Sequence, residues 1–208
     1  MVANVDPFSL GTVQAYFDQT FSSAPKVADV EVIFYPRLNA AALQFKYEFV
    51  TYRQFWNEAN RRQFIGAFER YKTDFAEKNL INRARKTRAI YGKVNGQLEW
   101  ESFRIARTRT SYPSIEVGYR FKRKPRTDAK MENQESPFFS TLMRAAQETE
   151  TTGDDPTKSQ QISMYFTLAQ AEELVALFDQ AHILALIQEF QTGPAKQEAT
   201  SSDEYYEM

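Results

Sequence analysis

The chain has no cysteine, one histidine and only seven glycines. Without cysteine there are no disulfide frameworks, thiolate zinc sites, iron–sulfur clusters or cysteine nucleophiles. The single histidine, His182, leaves no second imidazole for a His–His metal site or a two-histidine acid–base pair. Scarce glycine works against phosphate-cradling loops. No G-x-G-x-x-G, G-x-x-x-x-G-K, G-x-S-x-G or H-E-x-x-H run is present. Long apolar runs are missing too. The densest, Ala181 to Ile187, is seven residues and too short to span a bilayer as a helix. The opening MVANVDPFSLGTVQ has neither a basic start nor an apolar stretch, so it does not read as a signal peptide. The expectation is a cytoplasmic protein, with an exported form lacking its signal as the alternative.

The rest of the composition is that of a packed domain. At 208 residues with 42% hydrophobic and 25% charged side chains, the chain has the size and apolar content for one core. The expectation is a single α+β domain over residues 1–192, followed by a disordered acidic tail at 193–208. Charge is unevenly spread. Residues 1–82 balance to zero. Residues 83–126 carry thirteen basic groups against Glu99, Glu101 and Glu116, a net of +10, and residues 127–208 a net of −11. Such asymmetry points to an anion-binding surface or to mutual neutralisation within the fold.

Periodicity assigns the elements. Ser9 as N-cap with Leu10, Val13, Phe17 and Phe21 on one stripe predicts a short helix over 9–21. Val27 to Tyr35 reads as a strand ended by Pro36 and a turn at 37–39. Residues 42–52 alternate, with Leu43, Phe45, Tyr47 and Phe49 on the core face, and predict one side of an antiparallel hairpin. A helix is expected over 53–78, carrying Phe64, Phe68, Tyr71 and Phe75; Phe55 and Trp56 point away from that stripe, so the helix buries two faces or breaks. Asn95-Gly96 predicts a type I′ hairpin turn pairing Tyr91 with Trp100 and Lys93 with Leu98. A second turn at 110–113 and alternation over 115–123 complete a meander of three or four strands. Residues 125–160 read as a flexible insertion holding a small helix at 137–147, capped by Ser136 with Pro137 at its first position. A last strand at 161–167 leads through a capping box, Thr167 with Gln170, into a helix to about Phe190. The fold class expected is α+β: a hairpin plus meander packed by two long helices, with a disordered insertion and tail.

Chemistry follows from the charged meander. Arg104, Arg107, Arg109, Arg120, Lys122, Lys124 and Lys93, interleaved with Trp100 and Tyr91, offer cations for phosphates and π-faces for unstacked bases. The functional expectation is a non-enzymatic protein binding an anionic partner, single-stranded nucleic acid or an acidic protein, with no cofactor, metal or catalytic residues. Two alternatives stand beside it. The first is an adaptor or assembly subunit, a homo-oligomer included, using Ile183, Leu186 and Ile187 on a helix apolar nearly all round. The second is an enzyme built on Asp, Glu, Lys and Tyr that no motif reveals.

Overall fold

Alternating apolar side chains over most of the chain form one antiparallel sheet, described here from a computed structural model. The structure describes residues 5–19, 22–81, 87–102, 105–123, 135–149 and 157–192. Ten strands line up: β1 (Phe8–Gln19), β2 (Ser22–Tyr35), β3 (Ala40–Tyr47), β4 (Val50–Asn57), β5 (Arg88–Asn95), β6 (Gln97–Ser102), β7 (Ile105–Ser111), β8 (Ser114–Arg123), β9 (Glu135–Met143) and β10 (Ile162–Phe166). Three helices accompany them: α1 (Glu58–Ala76), α2 (Leu168–Phe178) and α3 (Gln180–Thr192). The fold is α+β, as expected from the sequence, with the sheet order β5-β8-β9-β10-β1-β2-β3-β4-β6-β7.

That order hides a simple device. β5 and β6 are one arm, and β7 and β8 the other, of a single long hairpin. Its pairs run from Arg88↔Arg120 to Asn95↔Ser114 in a base half, then from Leu98↔Ser111 to Ser102↔Ile105 in a tip half. The base half joins the sheet through β8 and β9, the tip half through β6 and β4. The hairpin thus ties the two ends of the sheet together. α1 packs beside β5 where β4 diverges from it, and the Asn60 side-chain amide donates to the Asn95 carbonyl (2.9 Å). On the other seam, Thr149 N–H donates to the Thr110 carbonyl (2.9 Å), and Ser111 bridges to Glu148.

One face of the sheet holds the core with the helices. Trp56, Phe64, Phe68, Tyr71, Phe139 and Phe178 are almost wholly buried there and meet at ring separations of 5.2–6.3 Å. Each such side chain stabilises the fold by about 1.5–3 kcal/mol relative to exposure. Asn57 caps α1, accepting from Asn60 N–H at 2.8 Å, and Thr167 with Gln170 forms the expected capping box of α2. The turn after β2 is a 3-10 turn at Pro36–Leu38 closed by Asn39 at φ 46°, a conformation asparagine tolerates.

Several sequence expectations are corrected. The helix expected at 9–21 is a strand as far as it is described: β1 covers 8–19. A bulge between Ser9 and Gly11 turns the two-residue alternation of Val13, Ala15 and Phe17 into a helix-like three-residue step back to Leu10. The strand expected at 42–52 is interrupted at Glu48 (φ 54°) and Phe49, the turn between β3 and β4; Phe49, placed on the core face by alternation, is 88% exposed. Phe55 and Trp56 lie in β4, which is why they left the helical stripe; α1 starts only at Glu58. Asn95-Gly96 is no hairpin turn, because Asn95 does not take the positive φ that type I′ needs. Gly96 is instead a kink within the arm, its N–H donating to the Pro113 carbonyl (3.2 Å). Trp100 therefore faces Arg109, Leu98 faces Ser111 and Lys93 faces Glu116.

The helix expected at 137–147 is β9, held between β8 and β10, with Phe139, Thr141 and Met143 alternating inward. Tertiary pairing overrides the Ser-Pro start signal, and the Pro137 carbonyl accepts from the Tyr71 hydroxyl (3.0 Å). The long C-terminal helix breaks at Asp179 (ψ 128°), whose carboxylate caps α3 by accepting from His182 N–H at 2.9 Å. Phe21, the remainder of the expected insertion at 124–134 and 150–156, and the tail at 193–208 lie outside the described residues. No helix among the described residues is long and apolar enough to cross a membrane.

Candidate anion-binding site

The long hairpin places its basic residues on two different faces. Directly paired residues of neighbouring strands share a face. Arg109 faces Trp100 and Ser111 faces Leu98, so Arg109, with Arg107 two residues before it, lies on the core-side face. There the buried carboxylate of Glu148 meets both, at 3.5 Å from Arg107 and 3.8 Å from Arg109. In β8 the core face is Ile115, Val117 and Tyr119, which leaves Glu116, Gly118, Arg120 and Lys122 on the outer face. Arg104 and Lys124 lie outside the described residues.

The two aromatics expected to stack on bases stack on protein. Trp100 is 5% exposed and belongs to the core. Tyr91 is half-buried, its hydroxyl donating to the Asp74 carboxylate, with the Arg70 guanidinium 4.9 Å from its ring centre. Burial and then the bond to Asp74 push its phenol well above the ordinary tyrosine value.

On the outer face β5, β8, β9 and β10 form a shallow depression that opens to solvent. Its floor is Gly118, directly opposite Ile90 on one side and Ser140 on the other, with Tyr165 opposite Ser140 beyond. A β-bulge brings the β5 backbone onto Gly118 so closely that a Cβ there would lie 2.0 Å from the Ala89 carbonyl oxygen. Arg88 and Arg120 stand directly opposite each other at one end. Like charges in that arrangement repel. Ser163 and Ser140 add hydroxyls to the lining.

A hydrogen-bonded chain fixes Arg120. Its Nη1 donates to the Tyr165 hydroxyl (3.2 Å), which donates to Asp18 Oδ2 (2.5 Å). Asp18 Oδ1 is paired with Lys122 at 2.7 Å, and the Lys122 ammonium lies 5.0 Å from the Tyr165 ring centre. At the other end of the depression Glu116 is taken by Arg144, whose Nη2 donates to it at 2.9 and 3.0 Å. Both carboxylates near the depression are therefore committed. Arg88 is exposed and has no ion pair among the described residues.

Of the expected anion-binding residues among those described, the structure brings only Arg120 to this depression, with Lys122 beside it through the Asp18 pair; Lys93 stands on the same face opposite Glu116. Arg88, Ser140, Ser163 and Tyr165 were missed. The signal that could have separated the arginines is parity. Read as one continuous arm, residues 107 and 109 share the odd positions of Ile115, Val117 and Tyr119, whereas 120 and 122 do not. Of the expected interface, Ile183 and Ile187 are buried in the protein's own core and Leu186 is half-buried against it. Leu184 and Phe190 are the exposed apolar residues of α3, at 46% and 58%.

Comparison with known proteins places the chain by family. A family described as "Uncharacterised Treponema protein" matches residues 7–185, which takes in the ten described strands, α1, α2 and the first half of α3. The chain belongs to that family. No curated protein and no solved structure matches it.

Proposed function

We propose that the protein is a non-enzymatic binding protein that takes up an anionic partner, single-stranded nucleic acid in the form tested here, on the outer face of the base half of its long hairpin. The observation that carries this reading is the Arg88–Arg120 pair. Two arginines are direct cross-strand partners on an outer face whose carboxylates among the described residues, Asp18 and Glu116, are already paired. Stacking on Trp100 and Tyr91 is no part of it, so a nucleic acid is held through its phosphates. Counterion release then sets the behaviour. Two to three neutralised phosphates of a single strand give log K against log salt a slope of roughly −1.4 to −2. Fluorescent single-stranded DNA and RNA titrated at two salt concentrations should show that decline. No binding at low salt, or binding indifferent to salt, would remove the reading.

A second reading, an adaptor or self-associating role through α3, is favoured by the exposure of Leu184 and Phe190. Sedimentation should then find an oligomer that Leu184→Glu reduces to a folded monomer; a wild-type monomer ends that reading.

A further inference from the structure

We infer that the depression between Arg88 and Arg120 takes a terminal phosphomonoester, a tetrahedral dianion, in preference to the singly charged phosphodiesters of a nucleic-acid chain. The inference rests on the anion-binding reading above and names the group that site takes. The first argument is charge. Arg88 and Arg120, always protonated, are cross-strand partners on β5 and β8, and a single dianion between them neutralises both. A phosphodiester or a carboxylate leaves one positive charge uncompensated.

The second argument is the supply of donors. Arg120 commits one N–H to Tyr165, and Arg88 commits none among the described residues. Each guanidinium has five N–H donors in a planar fork suited to bidentate contact with phosphate oxygens. The hydroxyls of Ser140 and Ser163, lining the same depression, supply two more. Ile90, 53% exposed and opposite Gly118, gives the ester's organic part an apolar wall.

The third argument concerns aim. Tyr165 and Asp18 are positioning residues. The phenol donates a hydrogen bond to Asp18 and so turns a lone pair toward Arg120, which fixes the guanidinium over the depression. Lys122 balances Asp18 from the other side, so the aiming carboxylate repels an incoming anion less.

Among the described residues, the charged and titratable groups around the depression are Arg88 and Lys93 on β5, Glu116, Tyr119, Arg120 and Lys122 on β8, Arg144 after β9, Tyr165 on β10, and Tyr16 and Asp18 on β1. The one histidine, His182, belongs to α3 and does not line it. A phosphomonoester loses its second proton near pH 6, so its dianion fraction rises steeply between pH 5 and 7.

Calorimetric titration of the full chain with phenyl phosphate, and with phenyl sulfate as a fixed monoanion of the same shape, tests this. Phenyl phosphate should bind roughly tenfold more tightly at pH 7 than at pH 5, following its dianion fraction. Phenyl sulfate should bind more weakly and alike at both pH values. Arg88→Gln should remove the preference, and Tyr165→Phe should weaken phosphate binding without unfolding the chain. An oligothymidylate of about 15 nucleotides, with and without a 5′-phosphate, separates two sources of the group. Tighter binding of the phosphorylated strand assigns it to a nucleic-acid end, and equal binding beside phenyl phosphate recognition assigns it to a free small ester. Equal affinity for phosphate and sulfate, or no affinity for phenyl phosphate, overturns the inference. If the oligonucleotides still bind through Arg88 and Arg120 in that case, the anion-binding reading stands alone. If nothing binds, both fall.

Discussion

Arg61→Met should cost about 3–5 kcal/mol of stability, the largest loss expected from any single charged residue here. Arg61 is 1% exposed on α1 and has no carboxylate partner among the described residues. Its Nη1 donates to the carbonyls of Asn39 (3.1 Å) and Trp56 (3.0 Å), and its Nη2 to the Gln180 side-chain oxygen (2.5 Å). One guanidinium thus joins the turn before β3, the end of β4, α1 and the start of α3. Burial holds its pKa below the ordinary arginine value, the direction expected of a charge taken out of water. Methionine keeps the volume of the stem but takes the donor from the buried Trp56 carbonyl, a loss of roughly 1–3 kcal/mol, and from two part-buried acceptors at Asn39 and Gln180 that add less. For a chain of this size the melting temperature should fall by roughly 10 °C. Arg62→Met, one residue on and exposed, should stay within about 0.5 kcal/mol of the wild type. Thermal unfolding of the two variants side by side decides it. A loss below about 1 kcal/mol at Arg61 would mean that water reaches those carbonyls.

Gly118→Ala should cost about 3 kcal/mol, at the upper end of what added methyl groups cost a packed site. The new Cβ would stand 2.0 Å from the Ala89 carbonyl oxygen and 2.9 Å from the Ala89 carbonyl carbon and the Ile90 Cα. All three are backbone, so no side chain can rotate away. β5 must move off β8, and the pairs on either side of its bulge, Ile90↔Gly118 and Gly92↔Val117, must lengthen. Gly66→Ala is the control. Gly66 lies exposed in α1 with nothing within 4 Å of the added methyl, and alanine there should stabilise by roughly 0.5–1 kcal/mol. Denaturant unfolding of both variants should move in opposite directions. A neutral Gly118→Ala would show that β5 is not pressed against β8 at its bulge.

How much of this was legible in the sequence depends on the range over which each signal acts. Local chemistry was readable: the turn at 37–39, the capping box of Thr167 and Gln170, the strand over 27–35, the alternation of β3, and the stripe of Phe64, Phe68 and Tyr71. Non-local pairing was not. Asn95-Gly96 has the composition of a tight turn, yet the partners that decide its conformation, Pro113 and Ile115, are some twenty residues away along the hairpin. β1 and β9 imitate helices, one through a bulge and the other through Ser-Pro at its start, and only their neighbours in the sheet reveal them as strands.

The site divides in the same way. The excess of positive charge over 83–126 is plain in the composition, but its partition between faces is not, because Tyr112-Pro113 reads as a turn when it is a bend within one arm. Reading that segment as continuous moves Arg107 and Arg109 to the face where Glu148 meets them. The hydroxyls of Ser140, Ser163 and Tyr165 carry no local signal at all. They matter only because β9 and β10 bring them beside β8.

The central claim is that anion binding belongs to the outer face of the base half and not to the basic hairpin as a whole. Arg88→Gln and Arg109→Gln test it most directly, since each removes one positive charge from the hairpin and leaves the two variants with the same net charge. Affinity for single-stranded DNA at low salt should fall about tenfold in Arg88→Gln, the loss of a charge-assisted contact of roughly 1.4 kcal/mol, and should change little in Arg109→Gln. Equal losses in the two variants, or a larger one in Arg109→Gln, would contradict the account.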